Sequence, residues 1–225
     1  MGKTDTSSEE ASVGTVEVHW MGRLGYSDAL EMQEDTVAKR VSGEIEDLVY
    51  LLEHDPVYTI GRTPDQSSLR EKNELPHPLV VTNRGGQGTF HGPGQLVGYP
   101  IIDLRPLGQD LHRYLRALED AVIDLCKSFG VDAVRREGLT GAWVGERKIA
   151  SIGVGVRKWV TMHGFALNVC DQLEGFEAIT PCGIGGVKMT SLEGEIGSQL
   201  EVELVADKAN AILQELPQRV LSTPG

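Results

Sequence analysis

The chain is poor in cysteine and in positive charge, and it has no long apolar run. Its three cysteines in 225 residues, Cys126, Cys170 and Cys182, are odd in number and lack CxxC spacing. That excludes a disulfide framework and a zinc knuckle, and it points to a reducing, cytoplasmic setting. Lys and Arg number 21 against 33 Asp and Glu, a net charge of −12. Such a balance opposes broad attraction to nucleic acid or to an anionic membrane, so an acidic partner must find a local basic patch. No apolar stretch approaches the roughly 18 residues needed to span a bilayer. Met1 to Gly14 is polar and acidic, without the basic and apolar regions of a signal peptide. Residues 1–14 are expected to be a disordered tail and residues 15–225 one domain. There is no Walker loop, no GxGxxG between a strand and a helix, and no internal repeat or low-complexity linker.

What is present, at 40% hydrophobic content, suffices for a core. Val16, Val18 and Trp20 alternate as in a half-buried strand, and Leu30, Val37 and Val41 give helical spacing over Ser27 to Ser42. Leu48 to Leu52 and Val57 to Ile60 read as strands, and Thr63 to Pro78, rich in turn formers, as an exposed loop. Leu79 to Thr82 and Val97 to Leu104 are strand-like. Asp110 to Phe129 carries Leu111, Tyr114, Leu115, Leu118, Val122 and Leu125 at helical spacing, with Gly130 at its stop. From Ala142 an antiparallel meander is expected, with a turn at Gly145-Glu146, strands over Ile149 to Val156 and Trp159 to Val169, and a last helix over Val205 to Leu216. The reading is one α+β domain with a mixed sheet flanked by helices.

Between the strands around 80 and 100 lies Asn83-Arg84-Gly85-Gly86-Gln87-Gly88-Thr89-Phe90-His91-Gly92-Pro93-Gly94-Gln95, with five glycines in thirteen residues and no periodicity. Glycines let a backbone approach a ligand closely, and Arg84 and His91 bracket the loop with donors; a plain glycine-rich turn between two strands is the bland alternative. Cys182 sits in Thr180-Pro181-Cys182-Gly183, a turn-forming context that exposes a thiol, although a cysteine is more often a small buried hydrophobe. Cys126, on the apolar side of the expected helix, and Cys170, at a strand end, fit that second description. A thiol that titrates near 8.5 needs a base or cation to attack at neutral pH. Lys148 opens an apolar strand, where burial favours the neutral amine; it reads equally as a solvated lysine at a hairpin. His91 and His163 stand open between catalysis and core hydrogen bonding.

Arg84-Gly85-Gly86-Gln87-Gly88-Thr89-Phe90-His91-Gly92-Pro93-Gly94-Gln95-Leu96-Val97, followed by Tyr99-Pro100-Ile101, resembles the signature loop of the lipoyl(octanoyl) transferase family. The resemblance extends to Leu52 to Arg62, Lys148 to Gly153, His163 to Val169, Pro181-Cys182-Gly183 and Met189 to Leu192, nearly the whole chain after residue 15. Gly88 departs from a commonly branched residue, and Gly25-Tyr26 from a frequent Pro-Tyr. The resemblance implies a biotin/lipoate protein ligase-like fold, Cys182 as acyl-thioester nucleophile and Lys148 as its acid/base partner. It places substrate contacts on Arg84, Gly85, Gly86, Gln87, Gly88, Thr89, Phe90 and His91, on Ser151, Ile152 and Gly153, and on Gly164, Phe165 and Ala166.

The implied reaction moves an octanoyl group from the phosphopantetheine of acyl carrier protein to a lysine of lipoyl domains, on 2-oxoacid dehydrogenase E2 subunits and glycine cleavage H protein, in lipoate biosynthesis. Thioester energy drives both halves, so no cofactor, metal or ATP is expected, with backbone donors near Gly183 or the glycine loop serving the oxyanion. The implied enzyme is a cytoplasmic monomer without nucleic-acid or membrane partners. For docking acidic carriers, the cations near the motif segments are Arg62, Arg84, Arg147, Arg157, Lys158 and Lys188. Two alternatives stand beside this: an ATP-dependent lipoate or biotin ligase on the same fold, and a non-catalytic module that binds acyl carrier proteins.

Overall fold

The computed structural model of the protein describes residues 14–63, 67–69, 75–180 and 186–224. The first two strands, β1 (Glu17–Leu24) and β2 (Leu48–His54), pair in parallel. A parallel pair requires a crossover, and α1 (Tyr26–Ser42) supplies it, stopping at the left-handed Gly43. Every later pairing along the main sheet is antiparallel. β2 pairs β6 (Gln95–Ile101), which pairs β10 (Val160–Asn168), then β9 (Arg147–Arg157), β8 (Leu139–Val144) and β7 (Val134–Arg136). A short β11 (Lys188–Met189) adds to β9 in parallel. A second sheet joins β3 (Val57–Ile60) to β4 (Leu79–Val81) on one side and β5 (Thr89–His91) on the other.

Helix α2 (Leu111–Ser128) forms where its apolar residues recur at helical spacing. Its N-cap, Asp110, accepts the amides of His112 and Arg113 at 2.9 and 3.1 Å, a contribution of about 1 kcal/mol. With α4 (Val202–Leu213) and α5 (Leu216–Ser222) it covers one face of the sheet. The core there is aliphatic: Val49, Leu51, Leu96, Leu118, Leu125, Leu167, Val205 and Leu213 are all buried, each worth about 1.5–3 kcal/mol relative to exposure. Cys126 lies in it, its thiol pushed up to about 12 by burial, which makes it inert as a nucleophile. The other face is covered by α1, which sets Ala29 and Val37 against Leu52, Val97, Ile101 and Met162, and by the glycine-rich loop.

The fold class is as expected, with local differences. The single last helix is two, because Pro217 starts α5 and cannot continue α4. The glycine segment contains β5, a strand too short to show a period. A 3-10 helix (Glu174–Ala178) and α3 (Leu192–Ile196), capped by the Ser191 hydroxyl on the Gly194 amide at 3.0 Å, are each five residues long and too short to show a period in the sequence. The stretch from Thr63 to Pro78 is not a wholly exposed loop: Ser68 and Leu69 are buried, and Leu69 bridges to Ile179. Its residues 64–66 and 70–74 lie outside the described residues, as do 1–13 of the expected tail. Among the described residues no helix is long and apolar enough to cross a membrane.

Candidate active site

The glycine loop is a fitted wall rather than a slack turn. The Gly85 amide donates to Val154 O at 2.8 Å, the Gly88 amide to Ser68 Oγ at 2.8 Å, and the Arg62 amide to Arg84 O at 3.0 Å. Two loop amides are therefore already engaged and are not free for a bound carbonyl. Arg84 is buried, and its Nη2 donates to Thr59 O (3.0 Å) and Thr59 Oγ1 (2.9 Å), its Nη1 to Gly85 O (2.9 Å). Thus β3 holds the loop's first residue, and β9 its second.

Lys148 reaches the same space because of a register break. Ala142 pairs Ala150 while its neighbour Trp143 pairs Lys148, so one extra residue is accommodated on β9. Such a bulge resets the alternation of faces. Ile149 and Ala150 turn into the aliphatic core, whereas Lys148 and Ser151 to Val154 line the cavity. Lys148 is 2% exposed, with Nζ 5.4 Å from the centroid of the Trp143 ring. Gly141, at φ +122°, lies beneath it: a Cβ there would stand 2.9 Å from Lys148 Cε and 2.4 Å from Ala150 O. Only glycine fits that position. The Gly141 amide is in turn held at 3.0 Å by the buried Glu119 carboxylate of α2.

Three buried histidines face this region, and burial keeps all of them neutral at pH 7. His54 is lowered to about 4 by burial; its Nδ1 meets Leu24 O at 3.0 Å and its Nε2 the Tyr99 hydroxyl at 2.7 Å. A carbonyl only accepts, so the proton sits on Nδ1 and Tyr99 donates to Nε2. His91 is lowered to about 3 by burial, aided by nearby His54 and Arg84; its Nδ1 donates to Gln95 Oε1 at 2.7 Å. The Gln95 amide donates to Asn168 Oδ1 (3.0 Å), Asn168 to Thr190 O (2.9 Å), and the Thr190 amide to Lys148 O (3.0 Å). A hydrogen-bonded chain thus runs from the loop to the lysine's backbone. His163 is lowered to about 4 by burial and then by Arg84 and Arg62. It adopts φ +56° within β10, and its Nε2 lies 2.5 Å from Asn83 Oδ1. A non-glycine residue in that conformation is strained, and such strain collects at functional sites.

Together these elements enclose a cavity of about 410 Å³, within the ~300–1,000 Å³ of small-molecule sites. Lys148 lines it, and so do Arg84 to Thr89, His91, Ser151 to Gly153 and Gly164 to Ala166 from the residues singled out in the sequence. Phe90 is not brought there. It turns to the small sheet and packs on Tyr58, His77 and Phe176, as alternation along β5 requires. Gly164 is needed for close approach, since a Cβ on it would stand 2.2 Å from Gly98 O. Sequence reading missed Tyr26, Val97, Tyr99, Leu111, Leu115, Leu139, Trp143 and Val154, which also line the cavity. Periodicity marks them as apolar and not as facing a void. Burial raises Tyr26 to about 12, so it is a neutral donor there.

Cys182 falls in 181–185, outside the described residues. Both flanks are fixed. The Thr180 amide donates to Ser68 O at 2.7 Å, beside the loop, and β11 pairs Lys188 with Arg147 and Met189 with Lys148. Cys170 is half-buried near Leu200 O, and its thiol is raised to about 11 by burial and by Glu193 and Glu53.

A mixed sheet flanked by helices, with a cavity walled by a glycine loop and a buried lysine, defines a small-molecule transfer or ligation domain. The family model of the lipoyl protein ligase A/B catalytic domain matches residues 25–214, and the chain belongs to that family. It is 51% identical over 182 residues to the octanoyltransferase of Geobacter sulfurreducens, spanning 81% of this chain and 76% of that protein. With the octanoyltransferase of Pelobacter propionicus it shares 44% over 207 residues, 91% of this chain and 97% of the other. The fold is that of lipoate-protein ligase A, solved with ATP (TM-score 0.66, 16% identity, 92% of each chain). It also matches biotin protein ligase from Aquifex aeolicus (TM-score 0.52, 14% identity, 90% of this chain and 69% of that one).

Proposed function

We propose that this chain transfers octanoyl groups in lipoate biosynthesis by a two-step route through a thioester on Cys182, with Lys148 moving the protons. The observation that carries it is the placement of Lys148: buried in the wall of a largely apolar cavity, and paired with β11, the strand that follows the Cys182 segment. The buried histidines are neutral, leaving Arg84 and Lys148 as the basic side chains on the cavity wall. An uncharged acyl chain suits such a space.

In the first step the Cys182 proton passes to Lys148. The thiolate adds to the carbonyl of an octanoyl thioester on acyl carrier protein, and the tetrahedral adduct collapses with expulsion of the carrier's thiol, which recovers the proton. In the second step the amine of a lipoyl-domain lysine adds to the acyl-Cys182 carbonyl. Lys148 accepts the amine's proton and returns it to the departing Cys182 sulfur, leaving an amide. E2 subunits and H protein are the acceptor class. No adenylate is formed, so transfer from octanoyl carrier protein to a lipoyl domain should proceed without ATP. If transfer occurred only with ATP and free octanoate, the ligase reading would replace this one.

A further inference from the structure

Beside the main cavity, behind the Asn83–His163 pair, lies a second pocket of about 200 Å³ lined by Glu34, Arg62, Asn83, Gly155, Arg157 and Met162, among others. Its arginines are unusual in this chain. Most described arginines sit against a carboxylate, among them Arg147, which binds Glu195 through Nε at 3.0 Å and Nη2 at 2.9 Å. Arg84 is buried on Thr59 and so is no docking cation. Arg62 and Arg157 are exposed, and among the described residues neither guanidinium has a carboxylate within ion-pair distance. In an acidic chain of net charge −12, two guanidinium groups on one pocket with no ion-paired carboxylate among the described residues are a place prepared for an anion.

We infer that Arg62 and Arg157 form a subsite for the phosphodiester of the donor's phosphopantetheine arm; this rests on the carrier-thioester reading above. Three features favour a phosphate on an arm. The pocket is concave, which suits a compact anion that guanidinium groups grip from two sides. Its floor is shared with the cavity: Asn83 lines the pocket, its partner His163 lines the cavity, and the Arg62 amide is tied to Arg84 O at 3.0 Å. Gly155 lies seven residues (155 − 148) along β9 from Lys148, so the pocket sits toward the opposite end of the strand from the acid/base, as the phosphate of an arm lies at the opposite end from its thioester. Arg157 is the last residue of β9, before a two-residue turn in which Lys158 and Trp159 both have positive φ, as a tight hairpin demands. Glu34 of α1 is a carboxylate on the same wall; the two arginines outnumber it.

The test compares octanoyl-phosphopantetheine with octanoyl-pantetheine, which lacks the phosphate, as acyl donors for the full chain and for Arg62→Gln, Arg157→Gln and the double variant. The double variant should lose about tenfold in kcat/KM with the phosphorylated donor, through KM, and less than twofold with octanoyl-pantetheine. The wild-type preference for the phosphorylated donor should shrink as salt is raised. Equal losses on both donors, or no loss on either, would overturn the subsite. So would a loss seen only with intact octanoyl carrier protein, which would assign the arginines to the carrier's surface. A wild-type enzyme acylated by no thioester donor would defeat the donor reading itself, and the subsite with it.

Discussion

The two faces of the main sheet are built to opposite rules. Under α2, α4 and α5 the sheet is packed with aliphatic side chains and an inert Cys126. Under α1 and the glycine loop it holds His54, His91, Gln95, His163, Asn168, Arg84 and Lys148, all buried, around a cavity. Burying polar groups costs stability unless each is hydrogen-bonded; here His54 is joined to Tyr99, His163 to Asn83, Arg84 to Thr59, and His91 through Gln95 to Asn168. The difference teaches where stability is chiefly kept: α2 reaches the cavity through Leu111 and Leu115 at its N-terminal end, while the aliphatic core under its remaining turns can be weakened without changing the cavity wall.

The largest break in that comparison is expected at Lys148. Lys148→Met keeps the stem beside Trp143 and removes the amine. Steady-state rates should fall by about 10²–10⁴ with the melting temperature little changed. A variant within threefold of wild type would remove Lys148 from the chemistry. On the opposite face, Leu118→Ala in α2 should cost about 2–5 kcal/mol in denaturant unfolding while kcat and KM at 25 °C hold. Loss of activity in its still-folded population would show that the two faces are coupled.

Glu119 bridges the faces, standing on α2 yet holding the Gly141 amide beneath Lys148. Glu119→Gln should lower kcat more than it raises KM, and by less than Lys148→Met does. A pure stability loss with unchanged kinetics would make it structural only.

A last test separates the faces by pH. His54, His91 and His163 titrate at about 4, 3 and 4 when folded, below the ~6.5 of an unfolded histidine. The unfolded chain therefore binds more protons between those values. Their contribution is fully present above pH ~6.5 and is lost as pH falls toward 4, on the order of 1–2 kcal/mol per histidine by pH 5. Melting scans should show that decline, and His91→Asn should flatten part of it. An equally steep decline in the variant would assign the effect elsewhere.

Much of this was legible in the sequence where one period dominated. Val57 to Ile60 is β3 to the residue, and the spacing from Asp110 to Phe129 gives α2 with its cap and stop. The glycine loop, Lys148 and the Gly164 region drew notice by composition and family likeness, and all of them meet at one cavity. What stayed hidden is what pattern does not encode. The bulge that turns Lys148 toward the loop lies in a pairing between strands, not within one. Phe90 stands among cavity residues in sequence but on the other side of a three-residue strand. Tyr26, Tyr99 and Trp143 look like ordinary core until the void beside them is seen, and Ser68 looks like loop until Gly88 donates to it.

The central claim is the acyl-enzyme on Cys182. The full chain, incubated with octanoyl carrier protein and no ATP, should gain the mass of one octanoyl group. Hydroxylamine should remove it, peptide mapping should place it on Cys182, and Cys182→Ala should abolish it while Cys126→Ala and Cys170→Ala do not. No adduct, or an adduct that persists in Cys182→Ala, would contradict the account.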